Sequence, residues 1–246
     1  MKLSRQIQAL PVRRGFTLVE LLVAIVIIAA LAAIVVSVTR RVQQSAQAST
    51  RLLNMRQAGT VLLGIAADRN GRCTYFSGGN GNFAYRHYLM ARNELGLTGT
   101  GNRVLEIMHW DSRKRPPSKG NEHWTCRAIN FKSVTYPDGS STRWTQESVK
   151  DASGSGGHVK SLSIAAVARP SSYPLLIDSS RAGGGEIFRI DETEGDYVGL
   201  REAGGTKACA FFFDGSARLM DKTELKNAGF RKAIDNSESP PVQITL

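Results

Sequence analysis

Four groups of residues in this 246-residue chain could do chemistry. The first is Glu20, the only charged residue between Phe16 and Val38. A carboxylate left unpaired in such an apolar run costs about 2.5–3.5 kcal/mol on insertion scales, so it needs a partner or a task. The second group is the three cysteines, Cys73, Cys126 and Cys209. No two have the C-x-x-C spacing of a redox or zinc site. Outside the cytoplasm one disulfide could form and leave one thiol over; all three pairings stay open. The third group is the four histidines, His87, His109, His123 and His158. His123 and Cys126 could supply two ligands, short of the four that a structural metal site takes, so loop-packed side chains are the reading and no metal is expected. The fourth is Asp214-Gly215, where a turn carboxylate holding its own backbone explains the pair without catalysis. No serine has the context of a nucleophile elbow. The glycines of Ala152 to Gly157 lack the Gly-Lys-Ser/Thr ending of a phosphate loop. The chain reads as a non-enzyme.

The element that positions Glu20 is plain. Residues 16–38 form 23 near-continuous apolar residues, and a helix of that length spans roughly 34 Å, enough for a bilayer core of about 30 Å. Arg13-Arg14-Gly15 stands immediately before it. From Val38 to Ala67 there is no proline; Leu52, Met55, Leu62 and Ile65 recur at helical spacing with Ala58 and Gly59 between them. Asn70-Gly71 is a stop signal. The spacing predicts one helix from about Phe16 to about Arg69, with a membrane part over 16–38 and an amphipathic part over 39–70, unless it breaks near Ser37 to Arg41.

The stretch GFTLVELL followed by Ile, Val, Leu and Ala resembles the N-terminal signal of type IV pilins and of type II secretion pseudopilins. In that family a peptidase cuts after the glycine and methylates the new N-terminal residue. The resemblance implies a leader over residues 1–15, a cut between Gly15 and Phe16, N-methylation of Phe16, and an assembly role for Glu20 facing the Phe16 amine of a neighbouring subunit. It deepens at Asn54-Met55-Arg56-Gln57 and at Ala66 to Arg72, which are similar to the pseudopilin-like group named for a His-x9-Asp-Gly motif. That group has a Pro-Ser step, here Pro170-Ser171, before an apolar strand ending in Asp, here Leu175 to Asp178. Its signature is Ala208 to Leu219, with Asp214-Gly215 as the turn. The expected His is replaced by Gly204, and the nearest polar substitute is Glu202. Some relatives bind calcium through loop oxygens near the C-terminus; Asp191, Glu192, Glu194 and Asp196 could do so, though no cofactor is expected.

The resemblance implies an α+β fold: a long N-terminal helix packed on a C-terminal antiparallel sheet domain over 71–246. In that domain Cys126 to Tyr136 and Ser140 to Trp144 flank a Pro137-Asp138-Gly139 hairpin turn. Phe83 to Arg92 reads as a short helix, Arg103 to His109 as a helix or strand, and Arg113 to Asn121 as a basic loop. Strands are expected at Ser161 to Val167, Leu175 to Asp178, Glu186 to Arg189, Ala208 to Phe213 and Ala217 to Met220. Phe211 and Phe213 should face one side and Phe212 the other. Asp221 should cap a short helix to about Ala228, and Ser237 to Leu246 reads as a frayed tail.

Charge sets the remaining bounds. The chain has 32 basic and 21 acidic residues, for a formal charge of +11. The leader holds Lys2, Arg5, Arg13 and Arg14 and no acid, so its removal leaves 28 against 21, or +7. The one dense cluster, Arg113-Lys114-Arg115 with Lys119, reads as a solvated loop; no nucleic-acid motif accompanies it and no nucleic acid is expected. The basic leader places the N-terminus inside the cell and the domain in the periplasm, as a single-pass inner-membrane protein, although Arg40 and Arg41 weaken the asymmetry. Expected partners are a prepilin peptidase, other pilin or pseudopilin subunits and an inner-membrane assembly platform. The function implied is a filament subunit, of a surface pilus, a secretion pseudopilus or a DNA-uptake fibre alike. The rival is a membrane-anchored periplasmic binding or enzymatic domain using a signal-anchor helix. A cleaved secretory signal at Ala46-Gln47-Ala48, with a twin-arginine look to Arg13-Arg14, fits less well because the apolar run exceeds the ~7–15 residues of a signal core. A buried core helix fits least, since a soluble domain needs no such run.

Overall fold

The computed structural model describes residues 17–78, 128–130, 132–150, 156–181, 189–190, 192, 195–237 and 240–246. The elements expected at Phe83 to Arg92, Arg103 to His109 and Arg113 to Asn121 lie outside these residues. The chain divides into two compact units, Met1–Ala46 and Gln47–Leu246. The architecture is α+β: one long N-terminal helix, α1 (Leu18–Asp68), and a C-terminal set of mainly antiparallel sheets.

In the first unit, α1 carries its apolar residues exposed, from Leu18 to Val38. It runs without a break through Ser37, whose hydroxyl donates to the Ile34 carbonyl at 2.9 Å, while the Thr39 hydroxyl donates to that of Val35 at 2.8 Å. Both hydroxyls are thus satisfied within the helix. The helix is the one among the described residues long and apolar enough to cross a membrane.

In the second unit the helix turns amphipathic. Met55, Ala58, Leu62, Ile65 and Ala66 are buried, spaced three and four apart. Helix α1 ends where Asn70 (φ 55°) and Gly71 (φ 71°) go left-handed, which suits both residue types. Strand β1 (Arg72–Gly78) follows and pairs antiparallel with β6 (Gly156–Ser163), which also pairs with β5 (Thr145–Lys150).

A five-stranded sheet has the order β12-β11-β7-β2-β9, from Ala217–Met220, Ala208–Phe212, Pro174–Ile177, Ala128–Asn130 and Arg189–Ile190. A four-stranded sheet has the order β14-β13-β10-β8, from Val242–Thr245, Lys232–Asp235, Asp196–Leu200 and Ser179–Arg181. Strands β3 (Val134–Thr135) and β4 (Ser141–Thr142) form a hairpin around Pro137-Asp138-Gly139. Two pairings, β10 with β13 and β2 with β9, are parallel, so the sheets are not wholly antiparallel.

Strand β11 organises the core. Cys209, Phe211 and Phe213 join the helix residues Met55, Ala58 and Leu62 in one cluster. Ala208, Ala210 and Phe212 point the other way, into a second cluster with Val198 and Leu200 of β10 and Ala233 of β13. The alternation is that of any strand, but here both faces are covered. Gly59 is where helix and strand meet most closely: a Cβ there would lie 2.0 Å from Cδ1 of Phe211.

Several expected boundaries shift. The strand read at Ser161 to Val167 starts at Gly156, taking Gly156 and Gly157 out of the expected loop, and stops at Ser163, before a 3-10 turn at Ile164–Ala166. The tail read as frayed contains β14, paired with β13 over Lys232 to Asp235. Strands β1, β5, β8, β10 and β13 lie where the sequence pattern predicts none. The short helix α2 (Lys222–Asn227) has Asp221 as N-cap in a full capping box with Glu224.

Candidate processing and assembly site

The described part of the N-terminal site starts at Thr17. Its backbone N–H and its hydroxyl both donate to Oε2 of Glu20, each at 2.8 Å, and its hydroxyl oxygen accepts from the Glu20 N–H at 3.2 Å. The Thr17 carbonyl accepts the first helical bond, from Leu21 N–H, at 3.2 Å. Thr17-Leu18-Val19-Glu20 is therefore a capping box, in which threonine and glutamate satisfy each other's orphan donors at the helix start. The sequence reading sought a partner for Glu20 in another chain and missed this local one, although the Thr-x-x-Glu spacing announces it. Gly15 and Phe16 lie outside the described residues.

In the second unit the residues marked by their motif positions have definable tasks. Asp214 Oδ1 accepts from the backbone N–H of Ser216 at 2.9 Å and from its hydroxyl at 2.6 Å. Gly215 at φ 83° donates to the Phe212 carbonyl, and Phe212 N–H to that of Ser216, closing the turn between β11 and β12. Asp178 has a different task. Its N–H donates to the Cys209 carbonyl, but its own carbonyl accepts from Gly199 N–H in the other sheet, both at 3.0 Å. The Cys209 N–H is met instead by the Asp178 Oδ2 at 2.9 Å. The carboxylate thus replaces a main-chain acceptor where the chain passes from the five-stranded to the four-stranded sheet, a need that an alternation pattern does not show.

Glu202 is 4% exposed and forms an ion pair with Arg51 of α1. It stands two residues before Gly204, in a turn where Thr206 and Lys207 N–H both bond back to the Glu202 carbonyl. The polar residue near the vacant His position is thus the one that reaches the helix.

Cys73 and Cys209 are buried thiols in the same core, and Cys126 lies outside the described residues. Burial pushes the Cys73 thiol up to about 12, which makes it inert at neutral pH. Of the four acidic residues that could hold calcium, Glu192 and Asp196 are described. Glu192 pairs with Lys132 at 2.6 Å, and Asp196 with Arg181 at 3.2 Å. Among the described residues no three His, Cys, Asp or Glu side chains converge as a metal site.

Residues 11–36 match the family model of the prokaryotic N-terminal methylation motif. No curated protein and no solved structure matches the chain. The chain thus carries a prepilin-type signal, of the kind found on pilin-like precursors, leading into the helix that among the described residues is long and apolar enough to cross a membrane.

Proposed function

We propose that this chain is a structural subunit of a type IV pilus-like or type II secretion pseudopilus filament. The observation that carries the reading is the methylation motif over residues 11–36, which encloses Gly15, Phe16 and Glu20. Prepilin peptidase cuts between Gly15 and Phe16 and methylates the Phe16 amine. The sheet domain lies in the periplasm. In the filament the exposed apolar residues of α1 between Leu18 and Val38 pack against those of other subunits and leave lipid. The Glu20 carboxylate meets the Phe16 amine of a neighbour, and an ion pair in a medium of low dielectric sets the axial register.

Processing is tested first. Mass spectrometry of the chain from cells with the peptidase should show an N-terminus at methylated Phe16, and Gly15→Val should retain the leader, because a side chain obstructs a narrow peptidase subsite. A wild-type chain that begins at Ser49, or still at Met1, refutes the reading.

A further inference from the structure

The second unit holds a cavity of about 580 Å³ that the filament reading does not use. Among the described residues four cationic side chains line it, Lys132, Lys160, Lys226 and Arg231, against one acidic side chain, Glu192. Glu192 is committed internally. Its Oε2 accepts from Lys132 Nζ at 2.6 Å, and its Oε1 from the backbone N–H groups of Arg231 at 2.7 Å and Lys232 at 3.2 Å. Lys226 and Arg231 are exposed at the cavity's rim and make that rim positive. Its floor is apolar, from buried Val134, Ile190 and Phe230.

The wall at residues 132–135 adds a second feature. It is braced from behind by the buried Tyr173, whose hydroxyl donates to the Lys132 carbonyl at 2.6 Å and accepts from Trp144 Nε1 at 2.9 Å. Among the described residues, β3 pairs with β4 alone. The Tyr136 N–H bonds to the Ser140 carbonyl at 2.8 Å, so Val134 and Tyr136 direct their main-chain groups toward β4. By the alternation of an antiparallel pair, Thr135 directs its N–H and C=O away from β4. Thr135 and Ser133 are exposed.

From Lys226 and Arg231, the apolar floor and a strand edge that no described residue pairs with, taken together, we propose that this cavity binds an extended acidic peptide segment of another protein. The segment adds along β3, alternate side chains enter the apolar floor, and the carboxylates between them meet Lys226 and Arg231. A phosphate or a nucleic-acid strand would use the cations but not the strand edge.

The test uses the full chain in a non-ionic detergent and a fluorescein-labelled hexapeptide of alternating glutamate and valine, blocked at both ends. Fluorescence anisotropy should show saturable binding that weakens as salt is raised. The double variant Lys226→Glu/Arg231→Glu should lose affinity by about tenfold or more. Thr135→Pro, which removes the outward N–H and none that β4 uses, should lose it too, with an unchanged near-ultraviolet circular dichroism spectrum. The proposal is overturned if the lysine–valine counterpart binds equally well, if either variant binds like wild type, or if millimolar inorganic phosphate or a short single-stranded oligonucleotide displaces the peptide.

Discussion

Gly59 offers the sharpest test of the helix–sheet contact. An alanine Cβ there would stand 2.0, 2.2 and 2.3 Å from Cδ1, Cγ and Cε1 of Phe211. Carbon atoms settle at about 3.5–4.0 Å, so the ring or the helix must move by roughly 1.5 Å. Phe211 is 0% exposed and has Met55, Ala58 and Leu62 in its cluster, so no empty space receives it. Overpacking of this kind costs about 1–3 kcal/mol, and three ring atoms in collision place it at the upper end. Against that, alanine gains about 1 kcal/mol of helix propensity over glycine. The net expectation is a loss of about 2 kcal/mol, or roughly 4–8 °C in the melting temperature of a domain this size. Gly64, on the same helix, has nothing within 4 Å of the added Cβ. There the propensity gain of about 1 kcal/mol stands alone and Gly64→Ala should raise the melting temperature by about 2–4 °C. The assay is near-ultraviolet circular dichroism of the full chain in one fixed detergent. Phe211→Leu should cost less in the Gly59→Ala background than alone, since a smaller side chain relieves the collision. A Gly59→Ala chain as stable as wild type, or stabilised together with Gly64→Ala, would refute the packing argument.

Two further predictions concern buried polar and thiol groups. Breaking the Arg51–Glu202 pair, whose side chains are 12% and 5% exposed, by Arg51→Ala should cost about 3 kcal/mol in urea unfolding, because a buried carboxylate loses its cation; the Arg51→Ala/Glu202→Leu double variant should recover part of that loss, and no recovery would argue against the pair. Cys73 should resist iodoacetamide at pH 8 until the fold opens; since burial raises its thiol from near 9 to about 12, its contribution to stability is fully present below about pH 9 and is lost as pH rises toward 12, a slope that Cys73→Ala should flatten.

The long helix was legible because it repeats one signal over many turns: an unbroken apolar run, then Met55, Ala58, Leu62 and Ile65 at helical spacing. The β11–β12 hairpin was legible because Phe211, Phe212 and Phe213 are followed by a turn pair. Strand β10 was not, since burial on both sides removes the alternation from Asp196–Leu200, and Gly199 reads as a breaker. Its true reason is spatial: a Cβ there would stand 2.9 Å from the Ser179 carbonyl oxygen. Strand β14 was hidden behind Pro240-Pro241, which stop a strand from starting earlier without preventing one at Val242. Arg51 with Glu202 joins residues 151 apart, and no local pattern encodes such a pair.

Thr17 and Glu20 were within reach of sequence reading, and their geometry sharpens the test of assembly. Both donors of Thr17 end on Oε2 of Glu20. Among the described residues no bond engages Oε1, so the cap and an ion pair with a neighbour's Phe16 amine can coexist on one carboxylate. Two effects of Glu20 are then separable. Glutamine at this position keeps an amide oxygen for the capping box but carries no charge. Glu20→Ala removes the charge and the carboxylate half of the capping box, while the Thr17 hydroxyl can still accept from the backbone N–H at position 20. Thr17→Ala removes the capping hydroxyl, at about 1 kcal/mol, and leaves the charge. On the filament reading, sheared filament should fall sharply for Glu20→Ala and equally for Glu20→Gln, while membrane-inserted subunit stays at the wild-type level or rises, because a costly carboxylate has left the apolar run. Thr17→Ala should assemble nearly as well as wild type. If Glu20→Gln assembles normally and Thr17→Ala does not, the carboxylate serves the helix start alone, and its pairing with a neighbour's amine is wrong.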